Sequence, residues 1–543
     1  MYKMKIGKKL KNLIIGIIFI LILLFSLYWA SQKEGYFVDE LYTYGLSNSY
    51  KEPFLDAEEG YLNNYHSGEE FFDYLTVSEE DDFAFDSVWF NQARDVHPPF
   101  YYVIIHLVSS IFKETMSPWI GVGVNYFFYI LSLFLFYYIA KDLCQNKWNA
   151  VIASIFFAIS AGTINCLVFI RMYMMLMFWI LLYTWLMIQF FRNNIERKTE
   201  LFHYIAVYSV IVCGFLTHYH FIIPAVVLSL VYILYLLIYK RIKNIFYYVI
   251  SCVAAAVSTQ YIFEASFNHI FVGYRGVEAI HNAKYANLFE RISVMWNYVD
   301  RHIFGGCFIF IALLLLFCCV LAWIKTKKRK TAKKVTNVDD LRERKVLVWI
   351  QVALIVTTVV SFAIICKTAA FLEARYLFML YPFFVLIIFI VLDWLTKQYR
   401  KKIKYYIIAC VCLVCIVCSY GIYKEPTYLF EDNAIVPEII SENYKGTNAV
   451  YITDLSYRYV SDSYALSMHK DIYVVGHDAI DHMLWFEEDD KVILYLNHWI
   501  LDSANVEDVK TVEYYLELAE NAGYSSCEYL GNTEHSQVYV LNK

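Results

Sequence analysis

Two short stretches hold residue types that can do chemistry. Asp39 and Glu40 stand side by side soon after the first long apolar run. Further along the same polar segment, Asp95-Val96-His97-Pro98-Pro99 leads into Phe100, Tyr101 and Tyr102. A carboxylate on a polar shelf can take the proton of an attacking hydroxyl, and a neighbouring imidazole or phenol can orient it. Two arginines open later apolar runs, Arg171 in RMYMM with Tyr173, and Arg375 in EARYLFMLYP with Tyr376. A guanidinium is planar and permanently charged, so it can grip two oxygens of a phosphate at once. Nearby aromatic rings offer faces for a sugar. His218 and His220 close another apolar run, and their i,i+2 spacing does not place both rings on one helical face.

The composition says what must position these groups. Of 543 residues, 59% are hydrophobic and 19% aromatic, and the mean hydropathy of +0.45 is too high for a soluble chain of this length. Apolar runs of bilayer length predict about eleven spans, near 12–30, 119–140, 148–166, 172–191, 202–217, 222–239, 245–263, 302–324, 346–366, 376–394 and 404–423. Lys3, Lys5, Lys8, Lys9 and Lys11 precede the first run. Its length and its poor cleavage site predict a retained anchor. With the N-terminus cytoplasmic, the inner segments 1–11, 141–147, 192–201, 240–244, 325–345 and 395–404 hold 28 of the 46 Lys and Arg residues. The outer segment 31–118 holds four, against seventeen Asp and Glu, and the tail holds seven against twenty-two. That asymmetry sets the orientation of a multi-pass plasma-membrane protein. It requires 100–113 to be a helix lying on the outer surface, because counting it as a span would put the basic loops outside.

The remaining polar residues organise the rest of the chain. Residues 1–423 form the membrane module, with outer segments at 31–118 and 264–301, the second able to lie over the shelf as a flap. Residues 424–543 switch to short apolar runs that alternate with polar ones. AVYITD, DIYVVGH, KVILYLN, SCEYLGN and QVYVLN read as strands, and SYALSM and VKTVEYYLELAENAG as helices, the second stopped at Gly523. The fold class is therefore mostly α, a polytopic membrane bundle with a small C-terminal α/β domain outside the membrane. Cys410, Cys412, Cys415 and Cys418 lie in an apolar run, where small apolar packing suits them better than zinc. The tail has a single cysteine, Cys527, so no internal disulfide is possible there. No metal ligand set is assigned, a divalent metal shared among His218, His220, Asp39 and His97 standing as the lesser alternative, and no nucleic-acid partner is expected.

Ionisable residues avoid the span interiors, apart from Asp393 near an inner end, and gather at outer ends. A transporter is expected to place polar groups near the midplane, so this pattern favours an enzyme over a non-catalytic transporter or assembly protein for envelope polysaccharide. Plainer readings stand beside it. Asp39 and Glu40 could be the polar flank of an anchor, and Arg171 and Arg375 could snorkel to headgroups.

At these positions the chain resembles the GT-C glycosyltransferases, and most closely the protein O-mannosyltransferases and bacterial aminoarabinose transferases. FVDELYTYGL from Phe37 to Leu46 resembles the acidic element after the first span that carries their catalytic base. DVHPP resembles their carboxylate-x-His-Pro-Pro stretch, and Arg171 and the Arg375-Tyr376 pair match arginines opening an early and a late span. The resemblance covers roughly the first four hundred residues. It implies inverting transfer of a sugar from a polyprenyl-phosphate donor to a hydroxyl of a lipid, glycan or protein acceptor at the outer face. Asp39 and Glu40 would be catalytic. Asp95, His97, Tyr101, Tyr102, Arg171, Tyr173, His218, His220, Arg375 and Tyr376 would bind substrate, membrane lipids would surround the module, and no cofactor would be required. The tail does not resemble the lectin-like insertion of the eukaryotic mannosyltransferases, and the segment from Asn48 to Trp89 is unusually acidic, so the resemblance leaves the acceptor open.

Overall fold

The computed structural model describes the chain except residues 1, 56–60, 145–146, 197–199, 328–337, 397–400, 425, 478, 480–485, 487 and 503–508. The basic connections expected at 141–147, 192–201, 325–345 and 395–404 therefore lie partly outside the described residues. Seven helices are long and apolar enough to cross a membrane: Lys9–Ala30, Pro118–Cys144, Tyr173–Asn193, Tyr219–Ile238, Ile242–Ile262, Leu341–Thr368 and Ala374–Asp393. Two helix pairs qualify only when joined across a sharp bend, Lys147–Ile159 with Ala161–Val168 (53°) and Leu288–Phe304 with Phe308–Phe317 (74°). The described residues thus give seven spans, or up to nine, where the apolar runs predict eleven. The other two runs coincide with Leu201–Thr217, of 17 residues, and with Lys401–Ile422, whose described apolar part is Val411–Ile422. At 1.5 Å per residue a 17-residue helix reaches about 25 Å, short of a hydrocarbon core of about 30 Å. The chain is a multi-pass membrane protein.

The 74° bend has a local cause. The widened turn Asp300–Phe304 ends in Gly305 and Gly306, at φ +60° and +73°, a left-handed conformation that glycine adopts without a Cβ clash. Phe100–Ile111, the segment expected on the outer surface, is a 12-residue helix and too short to cross. It packs on Val38–Asn48, with Tyr101, Tyr102 and Ile105 fully buried.

The tail supplies five strands of a six-stranded sheet: β1 (Asn64–Ser67), β2 (Ala449–Thr453), β3 (Asp471–Gly476), β4 (Lys491–Asn497), β5 (Ser526–Asn532) and β6 (Ser536–Asn542), in the order β1-β3-β2-β4-β6-β5. All five strands read from the tail are present. The edge strand β1 is not from the tail. It comes from the first outer segment and pairs antiparallel with β3, Asn64 opposite Val474. The strands β3, β2 and β4 run parallel, and near-continuous apolar runs suit such strands because both faces are covered. On one face Tyr451, Ile472, Val474, Ile493 and Tyr495 join the core of the membrane module. On the other, Val450, Ile452, Val475 and Leu494 pack under the helix Val512–Asn521 through Tyr515 and Ala519. That helix stops just before Gly523, at φ +100°.

Candidate active site

Glu40 organises the site without lining it. Its side chain is fully buried. Lys33 Nζ lies 2.9 Å from both its carboxylate oxygens, and the amides of Phe37 and Ile170 donate to it at 2.8 and 2.7 Å. Lys33 also donates to the Tyr428 carbonyl at 2.9 Å. This one carboxylate ties the start of Val38–Asn48 to the turn ahead of the Tyr173 helix and, through Lys33, to the chain leaving Lys401–Ile422. Burial pushes the Glu40 carboxyl up and the Lys33 ammonium down, and their contact opposes both shifts. With Glu40 turned inward, its neighbour Asp39 faces a cavity of about 680 Å³.

Asp39, Arg171 and Arg375 meet at this cavity from three distant segments. Asp39 Oδ2 pairs with Arg375 Nη1, and Glu373 takes the Nε side of the same guanidinium at 2.9 Å. Arg171 sits in the turn before its helix. It donates to the Asp39 carbonyl and the Thr43 hydroxyl, both at 3.1 Å, and reaches His97 Nε2 at 3.4 Å. Among the described residues none of its hydrogen bonds goes to a carboxylate. His97 is held in turn by Asp95, whose Oδ2 lies 2.8 Å from its Nδ1. Burial pushes the Asp95 carboxyl up, but His97 and Arg171 outweigh it and hold it below the usual range. Burial, helped by Arg171, holds His97 below its ordinary pKa, so the imidazole is neutral near pH 7. The sequence DVHPP places these groups because Asp95 caps the end of Phe85–Arg94 and Pro99 starts the next helix.

Nine of the twelve residues read from the sequence line the cavity: Asp39, Asp95, His97, Arg171, Tyr173, His218, His220, Arg375 and Tyr376. Glu40, Tyr101 and Tyr102 stand behind it. The Tyr101 hydroxyl donates to Asn125 Oδ1 at 3.0 Å, and Asn125 Nδ2 bonds the Phe169 carbonyl at 2.6 Å, bracing the turn that presents Arg171. The Tyr102 ring lies 5.9 Å from the Arg171 guanidinium. The separation expected for His218 and His220 is overturned: their ring centres are 4.6 Å apart. The i,i+2 rule holds within a helix, whereas His218 is extended (φ −165°, ψ 136°) and its Nδ1 accepts the His220 amide at 3.0 Å. Among the described residues no group of three or more His, Cys, Asp or Glu is placed to hold a metal ion.

Several lining residues escaped the sequence reading. The outer segment 264–301 does lie along the cavity, through His269, Tyr274, Arg275 and Gly276. Arg275 pairs with Glu278 at 3.0 Å and lies over the Phe371 ring. Arg291 and Lys367 turn instead to backbone carbonyls of Ala369 and Ala286. Arg458, Trp499 and His535 reach the cavity from the tail, and no local pattern marked them. Lys33 had a signal: it is one of only four basic residues in 31–118.

The sequence matches no family model and no curated protein. Among solved structures, the chain resembles ArnT from Cupriavidus metallidurans in the apo state at 10% identity, over 98% of each chain, with a TM-score of 0.50. The same protein bound to undecaprenyl phosphate aligns at 10% identity over 96% of this chain and 97% of that one, with a TM-score of 0.49. The archaeal oligosaccharyltransferase AglB from Archaeoglobus fulgidus, in complex with an inhibitory peptide and a dolichol-phosphate, aligns at 10% identity over 92% of this chain and 70% of its own, with a TM-score of 0.44. The fold is of the GT-C type.

Proposed function

We propose that this protein is an inverting glycosyltransferase that moves a sugar from a polyprenyl-phosphate donor to a hydroxyl acceptor, with its cavity on the extracytoplasmic face. The observation that carries this reading is the meeting of Asp39, Arg171 and Arg375 at one cavity beside the ends of their helices. The GT-C fold accords with it. The excess of Lys and Arg in the connections assigned to the inside supports the orientation. Donor phosphate would settle between the two guanidiniums, drawing Arg375 away from Asp39. The freed Asp39 carboxylate takes the proton of the acceptor hydroxyl as that oxygen attacks the anomeric carbon. The bond from that carbon to the phosphate oxygen breaks, and polyprenyl phosphate leaves with the negative charge held by the arginines. One base near the anomeric carbon suffices for inversion. Since the guanidiniums supply the cations, the reading calls for no metal ion.

Asp39→Asn keeps the shape but cannot accept the proton. Transfer from a synthetic polyprenyl-phosphate sugar should fall by about 10²–10⁴-fold, with expression and membrane insertion unchanged. Full activity in this variant would remove Asp39 as the base.

A further inference from the structure

The cavity has a second polar wall, built by Arg458, Trp499 and His535 of the tail. The sheet topology places it. β2 and β4 are parallel neighbours, yet the chain leaves β2 toward β3 and leaves β4 toward the opposite edge of the sheet. Where connections diverge in this way, a crevice opens at the carboxyl ends of the strands, and α/β sheets bind ligands there. Arg458 lies in the turn Ser456–Asp462 after β2, and Trp499 in the turn His498–Leu501 after β4. His535 joins them from the β5–β6 hairpin, its carbonyl accepting the His498 amide at 2.7 Å. Ser536 pins that hairpin by donating to Asp462 at 2.7 Å.

The chemistry of this wall is not that of the phosphate cradle. Asp454 holds Arg458 through both oxygens, at 3.0 and 3.3 Å, and the guanidinium lies 3.8 Å from the Trp499 ring centre. Burial keeps the His535 imidazole below its ordinary pKa, hence uncharged near neutrality. An anion arriving here would have to break the Asp454 pair. A sugar ring would not, because its C–H face can lie on the indole face opposite the one Arg458 covers, while its hydroxyls bond to polar groups at the rim such as the imidazole. We propose that this wall is the acceptor subsite and that the acceptor is an uncharged glycan whose terminal ring packs on Trp499. The inference rests on reading the cavity as a glycosyl-transfer site. The glycan hydroxyl would then approach Asp39 from the sheet side while the donor phosphate occupies the membrane side.

The test uses the full chain in lipid nanodiscs. It is applied to an array of neutral oligosaccharides, phosphorylated glycans, phospholipid headgroups and Ser/Thr-rich peptides, and undecaprenyl phosphate binding is measured on the same preparations. Wild type should be captured by neutral oligosaccharides. Trp499→Ala should weaken that capture by about tenfold, Trp499→Phe should retain most of it, and both should bind undecaprenyl phosphate normally. If Trp499→Ala also loses undecaprenyl phosphate, His535→Ala decides, with weaker neutral-glycan capture and normal undecaprenyl phosphate binding expected. Capture by phosphorylated glycans, headgroups or peptides in place of neutral glycans overturns the inference, as does unchanged capture in the deciding variant or no glycan capture by wild type. Undecaprenyl phosphate separates the two claims. If wild type binds it, failure on the array refutes the acceptor assignment alone, and if wild type does not, the reading of the cavity falls.

Discussion

The two walls of the cavity are made by different means and hold their charges differently. The membrane-side wall comes from helix ends and turns, braced from behind by the buried Lys33–Glu40 pair. Its guanidiniums divide their bonds among several partners. Arg171 bonds to a carbonyl, a hydroxyl and an imidazole, and Arg375 is divided between Asp39 and Glu373. The sheet-side wall comes from strand ends, and its one arginine is clamped at two points by Asp454. A guanidinium with no carboxylate of its own, such as that of Arg171, is ready for an incoming phosphate, whereas one clamped at two points, such as that of Arg458, offers hydrogen bonds at fixed positions but little net charge. On the proposed reading, the contrast divides the work, with charge recognition on one side and shape and hydroxyl recognition on the other.

The largest effect on this contrast should come from the brace. Lys33→Ala leaves the Glu40 carboxylate buried without its cation, with side-chain exposures of 1% and 0% for the pair. Loss of one partner of a buried pair costs about 3–5 kcal/mol, read as a lower thermal unfolding midpoint in nanodiscs. Lys33→Met combined with Glu40→Gln should recover most of the loss, since Gln can still accept an amide bond. A single variant as stable as wild type would mean that the membrane-side wall does not depend on the brace.

A smaller effect separates the arginines. Arg171→Lys or Arg375→Lys should weaken undecaprenyl phosphate binding by about 1.5–3 kcal/mol, because a point charge cannot reproduce two parallel hydrogen bonds. Arg458→Lys on the sheet side should leave that binding unchanged. Equal losses in all three variants would erase the distinction between the walls, and normal binding in both membrane-side variants would return those arginines to a lipid-anchoring role.

The effect confined to a change of pH lies at the seam. Glu534, next to His535, accepts the Val38 amide at 2.7 Å and so joins the tail to the helix that carries Asp39. Burial raises its carboxyl to about 8, against the pull of the Val38 N–H, with Asp462, Asp39 and Glu40 adding to the rise. Between the ordinary carboxylate value and about 8, the folded protein keeps a proton that the unfolded chain has released. Stability should therefore decline as pH rises through that window, by at most ~1.4 kcal/mol per pH unit, and level off above it. Glu534→Gln keeps an acceptor for Val38 and should flatten the profile. A slope that survives the substitution would place its source elsewhere.

Much of the fold was legible in the sequence because it is written locally. Apolar runs of bilayer length mark the membrane helices, and each strand read from the tail appears in the sheet at nearly the same residues. Asp39, Asp95-Val96-His97, Arg171 and Arg375 stood out because charged groups are costly beside lipid. Local pattern misled where local conformation departs from the regular helix, as at His218 and His220, whose extended link brings their rings together.

By itself, the sequence determined the membrane class, the succession of helices and strands, and the residue types available at the helix ends, because hydropathy and periodicity act over a few turns of chain. Only the tertiary structure decided which of two adjacent carboxylates faces the cavity. Glu40 is drawn inward by Lys33 and by the amide of Ile170, 130 residues away, and Asp39 is left to the open side. Only the tertiary structure, too, recruited β1 from the first outer segment into the tail's sheet and aimed Arg458, Trp499 and His535 at a cavity whose other wall begins at Asp39. Pairing between distant segments depends on shape and on the satisfaction of buried polar groups, and neither leaves a periodic trace along the chain.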